Sequence, residues 1–254
     1  MNMFLIAVSL AVAAIPEGLP AIVTMTLAIG VTKMVKRHAL IRQLPAVETL
    51  GSTTVICTDK TGTLTKNEMT VTRIFIDGHT LAVSGEGYAP VGEICEEGQT
   101  LTDDLSGGVQ VLLEAAVLCN DASLAQEEQK WVVVGDPTEG ALLVVAAKVG
   151  VTKAALAATH SLLGEAPFDA ERKRMTVVRD SSDGPVAYVK GAPDSLLPEC
   201  SRYRTVSGKV EPLTDDVRQQ IVMANSLFAQ HALRVLGIAV RPLMSLPSTF
   251  QAQK

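Results

Sequence analysis

The sequence predicts a chain of mixed α/β and α+β class in three parts. These are one broken transmembrane helix, the first part of an α/β domain with a parallel sheet, and an α+β domain built on an antiparallel sheet. Three observations predict this. Residues 3–31 carry one charge, Glu17, in an apolar stretch long enough to cross a bilayer. Residues 53–58 form a β-branched, apolar run that ends on Asp59-Lys60-Thr61-Gly62-Thr63. From residue 70 onward, hairpin signals and helical periods alternate without long apolar runs.

Composition narrows the partners. The chain has 254 residues and a formal net charge of −5. Its pI of about 5.4 argues against a nucleic-acid partner. The mean hydropathy of +0.27 owes its excess to the first segment. The four cysteines, Cys57, Cys95, Cys119 and Cys200, form no CxxC pair, so neither a zinc site nor a disulfide framework is indicated.

Residues 1–37 read as a membrane helix broken at Pro16-Glu17-Gly18-Leu19-Pro20. Pro16 has no N–H to offer, and its ring crowds the carbonyl of Val12. Pro20 acts likewise on the carbonyl of Pro16, and Gly18 loosens the chain between them. Unwound backbone is tolerated in hydrocarbon only where it lines a cavity, and a carboxylate at that depth marks a functional site. Freed carbonyls with Glu17 make an oxygen-rich site for a hard cation. Lys33, Lys36, Arg37 and Arg42 follow the span, which puts residues after about 33 in the cytoplasm of a membrane protein.

Residues 38–72 read as a linker and the start of a catalytic domain. A short strand is expected at 39–41, a short helix at 46–50 capped by Gly51, and then the buried strand at 53–58. Asp59 would lie at the carboxyl end of that strand, where α/β folds hold ligands. A carboxylate there acts as a nucleophile toward a phosphoryl group. Lys60 neutralises phosphate oxygens, Thr61 offers a hydroxyl and a carbonyl, and Gly62 permits the turn.

Together, Pro16-Glu17-Gly18-Leu19-Pro20, Pro45-Ala46-Val47-Glu48-Thr49-Leu50-Gly51 and Asp59-Lys60-Thr61-Gly62-Thr63 resemble the P-type cation-transporting ATPases. Within that family they resemble the type II, calcium-pump-like branch, since the membrane segment lacks the cysteines of the heavy-metal branch. The resemblance runs over nearly the whole chain. It implies that residues 38–72 begin a haloacid-dehalogenase-like Rossmann phosphorylation domain and that Asp59 is the phosphorylated residue. It implies that Asp59 and Thr61 hold Mg²⁺, and that Glu17 with the carbonyls of Val12, Ala13 and Ile15 forms part of a site for a transported cation, Ca²⁺ by that branch. The Thr-Gly-Glu-Ser and Thr-Gly-Asp-Gly-x-Asn-Asp segments of the family are not found. The expected partners are therefore the bilayer, ATP, the cation and the remaining pump segments: actuator domain, other membrane helices and the rest of the phosphorylation domain.

Residues 73–241 read as the nucleotide-binding domain. Residues 70–76 alternate like a strand, Asp77-Gly78 signals a hairpin, and residues 80–83 return. Residues 84–104 are rich in Gly and Glu and read as loops. Leu105, Val109, Leu112, Ala116 and Val117 share a helical face, and residues 131–134 read as a strand. Asp136-Pro137-Thr138-Glu139 opens a helix over 141–149, with Asp136 as N-cap and Glu139 completing a capping box. Phe168 precedes a basic run and a strand at 176–179, so a stacked base beside Lys173 competes with an ordinary hairpin. Residues 187–191 read as a strand entering the Lys190-Gly191-Ala192-Pro193 turn. Thr214 caps a helix whose inner face holds Val217, Ile221, Ala224 and Phe228, and residues 235–240 read as a strand. The family resemblance assigns nucleotide contact to Glu139, Phe168, Lys173, Lys190 and Arg234. It also shows one departure, since Ala170 stands where relatives carry an Arg. Residues 242–254 read as an unpatterned tail. Two other readings compete: a nucleotide-binding module without turnover, and a soluble hydrolase sharing the Asp59 loop. The membrane span and the lack of an acidic residue two positions after Asp59 disfavour the second.

Overall fold

The computed structural model describes residues 2–14, 16, 18–96, 98–100 and 107–245. The chain divides into two compact units, Met1–Leu64 and Thr65–Lys254.

The first unit opens with two apolar helices, α1 (Asn2–Ala13) and α2 (Leu19–Val35). The break falls where the prolines demand it. Pro16 brings no N–H to continue α1, and its carbonyl instead accepts from Leu19 N at 2.9 Å, starting a new turn. Pro20 does not disrupt a turn as the sequence suggested, because it sits in the first turn of α2, where an N–H has no helical partner anyway. At 1.5 Å per residue the two helices measure about 18 and 26 Å, against a hydrocarbon core of about 30 Å. Among the described residues, no helix is long and apolar enough to cross a membrane. This corrects the expectation of a single spanning segment: the proline break divides the apolar stretch into two shorter helices. Apolar side chains stand exposed along both, from Met3 and Phe4 to Ile29 and Val35. The hydroxyls of Thr24, Thr26 and Thr32 bond back to the carbonyls of Pro20, Ile22 and Ala28, so α2 satisfies them within itself.

Helix α3 (Pro45–Gly51) starts with Pro45 in its first turn, and α2 approaches it closely enough that a Cβ on Gly30 would lie 3.3 Å from Val47. Gly51 ends the helix and Ser52 takes the cap, one residue later than expected. Neither the strand expected at 39–41 nor that at 53–58 forms. Val55 and Ile56 are 72% and 80% exposed. An apolar β-branched run becomes a buried strand only between flanking strands, and the described part of this unit contains none. The expected α/β phosphorylation domain is thus not formed by residues 38–64.

The second unit is α+β with antiparallel sheets. Strands β1 (Arg73–Ile76) and β2 (His79–Val83) form the expected hairpin. Asp77 and Gly78 both have positive φ, 51° and 79°, as a two-residue hairpin turn with right-handed strand twist requires. The 84–104 stretch is not all loop: β3 (Ile94–Glu96) and β4 (Gln99–Thr100) extend this sheet in the order β1-β2-β3-β4. Helix α4 (Gly107–Leu118) follows, then the hairpin β5 (Ser123–Glu127) and β6 (Lys130–Val134), α5 (Pro137–Ala147) and α6 (Lys153–Ala157). The second sheet has the order β12-β9-β8-β7, from β7 (Leu162–Asp169), β8 (Arg174–Arg179), β9 (Val186–Gly191) and β12 (Gly237–Pro242). Between β9 and β12 lie α7 (Pro193–Leu196), the hairpin β10 (Arg202–Arg204) and β11 (Val210–Pro212), and α8 (Asp215–Gln230).

Helix α4 joins the two sheets through opposite faces. Val109, Leu113 and Val117 pack with Leu81, Ile94 and Val145 in one core. Ala115, Leu118 and the adjoining Cys119 pack with Met175, Val177 and Tyr188 in the other. A helix apolar on two faces is buried between layers rather than laid on a surface, and this places its C-terminal end against β9.

Candidate functional site

Five residues singled out in the sequence meet around the N-terminus of α5 and one end of the second sheet. Asp136 caps α5, its carboxylate accepting from Thr138 N at 2.7 Å and Glu139 N at 3.3 Å. Burial opposes its charge, but the Thr138 and Glu139 hydrogen bonds and the Arg234 charge hold its carboxyl below the usual range. Arg234 reaches the same helix end, donating from Nη1 to Thr138 Oγ1 at 3.3 Å.

The Glu139 carboxylate is used elsewhere than in the expected capping box. One oxygen accepts from the Lys190 ammonium. The other accepts from Asp121 N at 2.9 Å and Ala122 N at 3.0 Å, in the loop after α4. Lys190 also donates to the Cys119 carbonyl at 2.7 Å. The two side chains are 9% and 15% exposed, so this is a largely buried ion pair in which both charges carry further hydrogen bonds. Lys190 therefore does not stand exposed at the strand end.

Phe168 and Lys173 arrive by register. Asp169 pairs with Arg174 across β7 and β8, and Arg174 pairs with Gly191 across β8 and β9. Phe168 stands beside Asp169, next to a shift in the β7–β8 register between Ala166 and Asp169, and is 63% exposed. An aromatic ring left in water at the end of a sheet is available to stack. Lys173 ends the connecting turn with φ of 51° and faces Asp194 at 3.4 Å. Its carbonyl accepts from Ala192 N at 3.0 Å. Gly191 makes this approach possible, because a Cβ there would lie 2.6 Å from that carbonyl oxygen. Arg172, near the vacant Arg position at Ala170, is turned inward: its Nη2 donates to the Pro167 carbonyl at 3.2 Å.

Several residues of the site were not found in the sequence. Asn120 is buried, bonds to the Glu139 carbonyl at 2.9 Å and accepts from Ala122 N at 3.0 Å. Lys153 donates to the carbonyls of Asn120 and Ala122. Burial pushes the Glu165 carboxyl up, and the charges of Asp121 and Glu139 push it further. A polar Asn-Asp pair directly after an apolar helical period is the signal that points to Asn120; for Lys153 and Glu165 the sequence holds none.

The remaining predicted residues lie in the first unit. Asp59 is exposed and accepts from Thr61 N at 3.1 Å, the turn its sequence suggested. Lys60 accepts through its carbonyl from Leu64 N at 3.0 Å. Val12 and Ala13 end α1 with exposed side chains. Glu17 and Ile15 lie outside the described residues. Among the described residues, no cluster of three or more His, Cys, Asp or Glu suits a metal.

The second unit thus brings an exposed aromatic, a buried Glu–Lys pair and two further cations to one end of its second sheet. Residues 108–254 match the family described as P-type ATPase, cytoplasmic domain N, and the chain belongs to that family. A cation-transporting ATPase of Synechocystis is 47% identical over 244 residues, 94% of this chain and 26% of the relative. A calcium-transporting ATPase of Bacillus subtilis is 41% identical over 256 residues, 100% of this chain and 29% of the relative. A calcium-transporting ATPase type 2C member 1 of Bos taurus is 43% identical, over 95% of this chain and 25% of the relative. The chain thus spans about a quarter of the length of the relatives it matches.

Proposed function

We propose that this chain is the nucleotide-holding and phosphoryl-accepting segment of an ATP-driven cation pump. The observation that carries the reading is the meeting of Glu139, Phe168, Lys173, Lys190 and Arg234 at one sheet end, in a unit of the P-type ATPase domain N family. Phe168 stacks the adenine, worth about 1–3 kcal/mol for a base on an aromatic. Lys190 lies along the base, with Glu139 beside it. Lys173 and Arg234 meet the phosphates as cations on either side.

In the complete pump an Asp59 carboxylate oxygen attacks the γ-phosphorus. The new O–P bond forms as the bond to the β-phosphate oxygen breaks, and ADP leaves with the displaced electron pair. Carboxylate, hydroxyl and carbonyl oxygens from Asp59 and Thr61 are the hard donors that Mg²⁺ prefers, so these residues fit it. When bound, Mg²⁺ offsets negative charge on the phosphate oxygens. The exposed apolar side chains of α1 and α2 anchor the chain in a bilayer, with Glu17 and the carbonyls of Val12, Ala13 and Ile15 serving a transported cation, Ca²⁺ by likeness to the named relatives.

One observation favours a narrower reading for the isolated chain. Residues 52–64 are exposed, and among the described residues of the first unit no strand flanks Asp59, which favours a chain that alone binds nucleotide without turnover. Incubation with γ-labelled ATP and Mg²⁺ tests both readings. The complete pump gives acid-stable, hydroxylamine-sensitive label that disappears in Asp59→Asn, and the isolated chain gives none. Label that survives Asp59→Asn removes Asp59 from the reaction. Strong label on the isolated chain removes the narrower reading.

A further inference from the structure

The C-terminal end of α4 and the loop behind it, residues 118–122, receive three cations from three separate elements. Arg179 Nε of β8 donates to the Leu118 carbonyl at 2.9 Å. Lys190 Nζ of β9 donates to the Cys119 carbonyl at 2.7 Å. Lys153 Nζ, at the first residue of α6, donates to the carbonyls of Asn120 at 2.7 Å and Ala122 at 2.8 Å. Carbonyls at a helix C-terminus lack helical donors and carry the negative end of the helix dipole, so cations are the fitting partners. The same loop presents its Asp121 and Ala122 N–H groups to Glu139, which is itself paired with Lys190.

We infer that Lys153 is a positioning residue for the nucleotide site, acting through the 119–122 loop to fix where the Lys190 ammonium stands. The inference rests on the nucleotide reading above. Lys153 and Lys190 hold neighbouring carbonyls of one short loop from two different elements. With Lys153 in place, the Asn120 and Ala122 carbonyls are satisfied, and Lys190 is divided only between the Cys119 carbonyl and Glu139. Without it, two part-buried carbonyls lose that donor, and Lys190, already bonded to the adjoining Cys119 carbonyl, is a cation on the same loop. The loop turns toward Lys190 and draws it away from the ligand. The charges facing Lys153 are Asp121 and Glu139, which favour its ammonium, and Arg179 and Lys190, which oppose it; burial, the largest effect, acts with the two cations and lowers its pKa.

The test is a double-mutant cycle on binding of a fluorescent trinitrophenyl-ATP analogue to the whole chain, with amide hydrogen exchange beside it. Lys153→Met weakens binding about five-fold, within the coupling expected of neighbours in one network. Lys153→Arg restores most of it. In a Lys190→Met background, Lys153→Met changes binding less than two-fold, by the same coupling argument. Hydrogen exchange needs no nucleotide: Lys153→Met speeds exchange at Asp121 and Ala122 relative to the amides of β8, and Lys153→Arg does not. Full additivity in the cycle, or unchanged exchange at Asp121 and Ala122, overturns the inference. A wild-type chain that fails to bind the analogue while these exchange changes occur overturns the nucleotide reading and leaves the loop coupling in evidence.

Discussion

Gly191 shows how one residue sets the geometry of the site. Its neighbours leave no room for a side chain: a Cβ would lie 2.6 Å from the Lys173 carbonyl and 2.7 Å from the Arg174 Cβ. Gly191→Ala must push β8 away from β9, costing about 1–3 kcal/mol as an overpacked contact does. Urea unfolding reads that loss, and the shift also moves Lys190 relative to Phe168. Lys190 itself illustrates how far a sequence reveals such a site. The Lys-Gly-Ala-Pro turn marks it as special, but its bond to Glu139 spans 51 positions and its bond to the Cys119 carbonyl spans 71. Lys153 is less legible still, because lysine-to-carbonyl bonds from a distant element leave no local pattern. Phe168 is the opposite case: an aromatic beside a charge run, which the register of β7–β9 then places.

Among the elements, α5 follows most directly from local chemistry. Asp136-Pro137 gives it a cap and a first-turn proline, and the structure uses both. Asp136→Ala costs about 1 kcal/mol of stability at pH 7 as lost N-caps do, measurable by urea unfolding. The pH dependence has a definite sign. The Asp136 carboxyl is held below its usual range in the fold, so its contribution is complete above the unfolded value of about 3.9 and is lost as pH falls through the lower native value. The gap between wild type and Asp136→Ala therefore closes on acidification below about pH 4. Strand β7 escaped the sequence because Gly164 and Pro167 interrupt its alternation. The hairpin of β10 and β11 escaped because three-residue strands give too short a pattern. The run at 53–58 misled in the other direction: apolar β-branched residues signal a strand only when a sheet receives them.

For the whole molecule, the division into Met1–Leu64 and Thr65–Lys254 separates two chemistries. Asp59, the proposed phosphoryl acceptor, belongs to the first unit, and the five residues proposed to hold the nucleotide belong to the second. The α+β class and antiparallel sheets of the second unit were legible in hairpin signals and helical periods. The proline break in the first segment was legible too, though not that it leaves two helices of 12 and 17 residues. The proposed function requires above all that the second unit hold ATP against Phe168. Titration of the whole chain with the trinitrophenyl-ATP analogue, in wild type and Phe168→Ala, tests this directly. Because Phe168 is 63% exposed, its loss leaves the unfolding midpoint nearly unchanged. The expected result is saturable, ATP-displaceable binding that weakens about ten-fold in Phe168→Ala, the loss of one base stack. Binding of equal strength in the two proteins, or no displaceable binding at all, would contradict it.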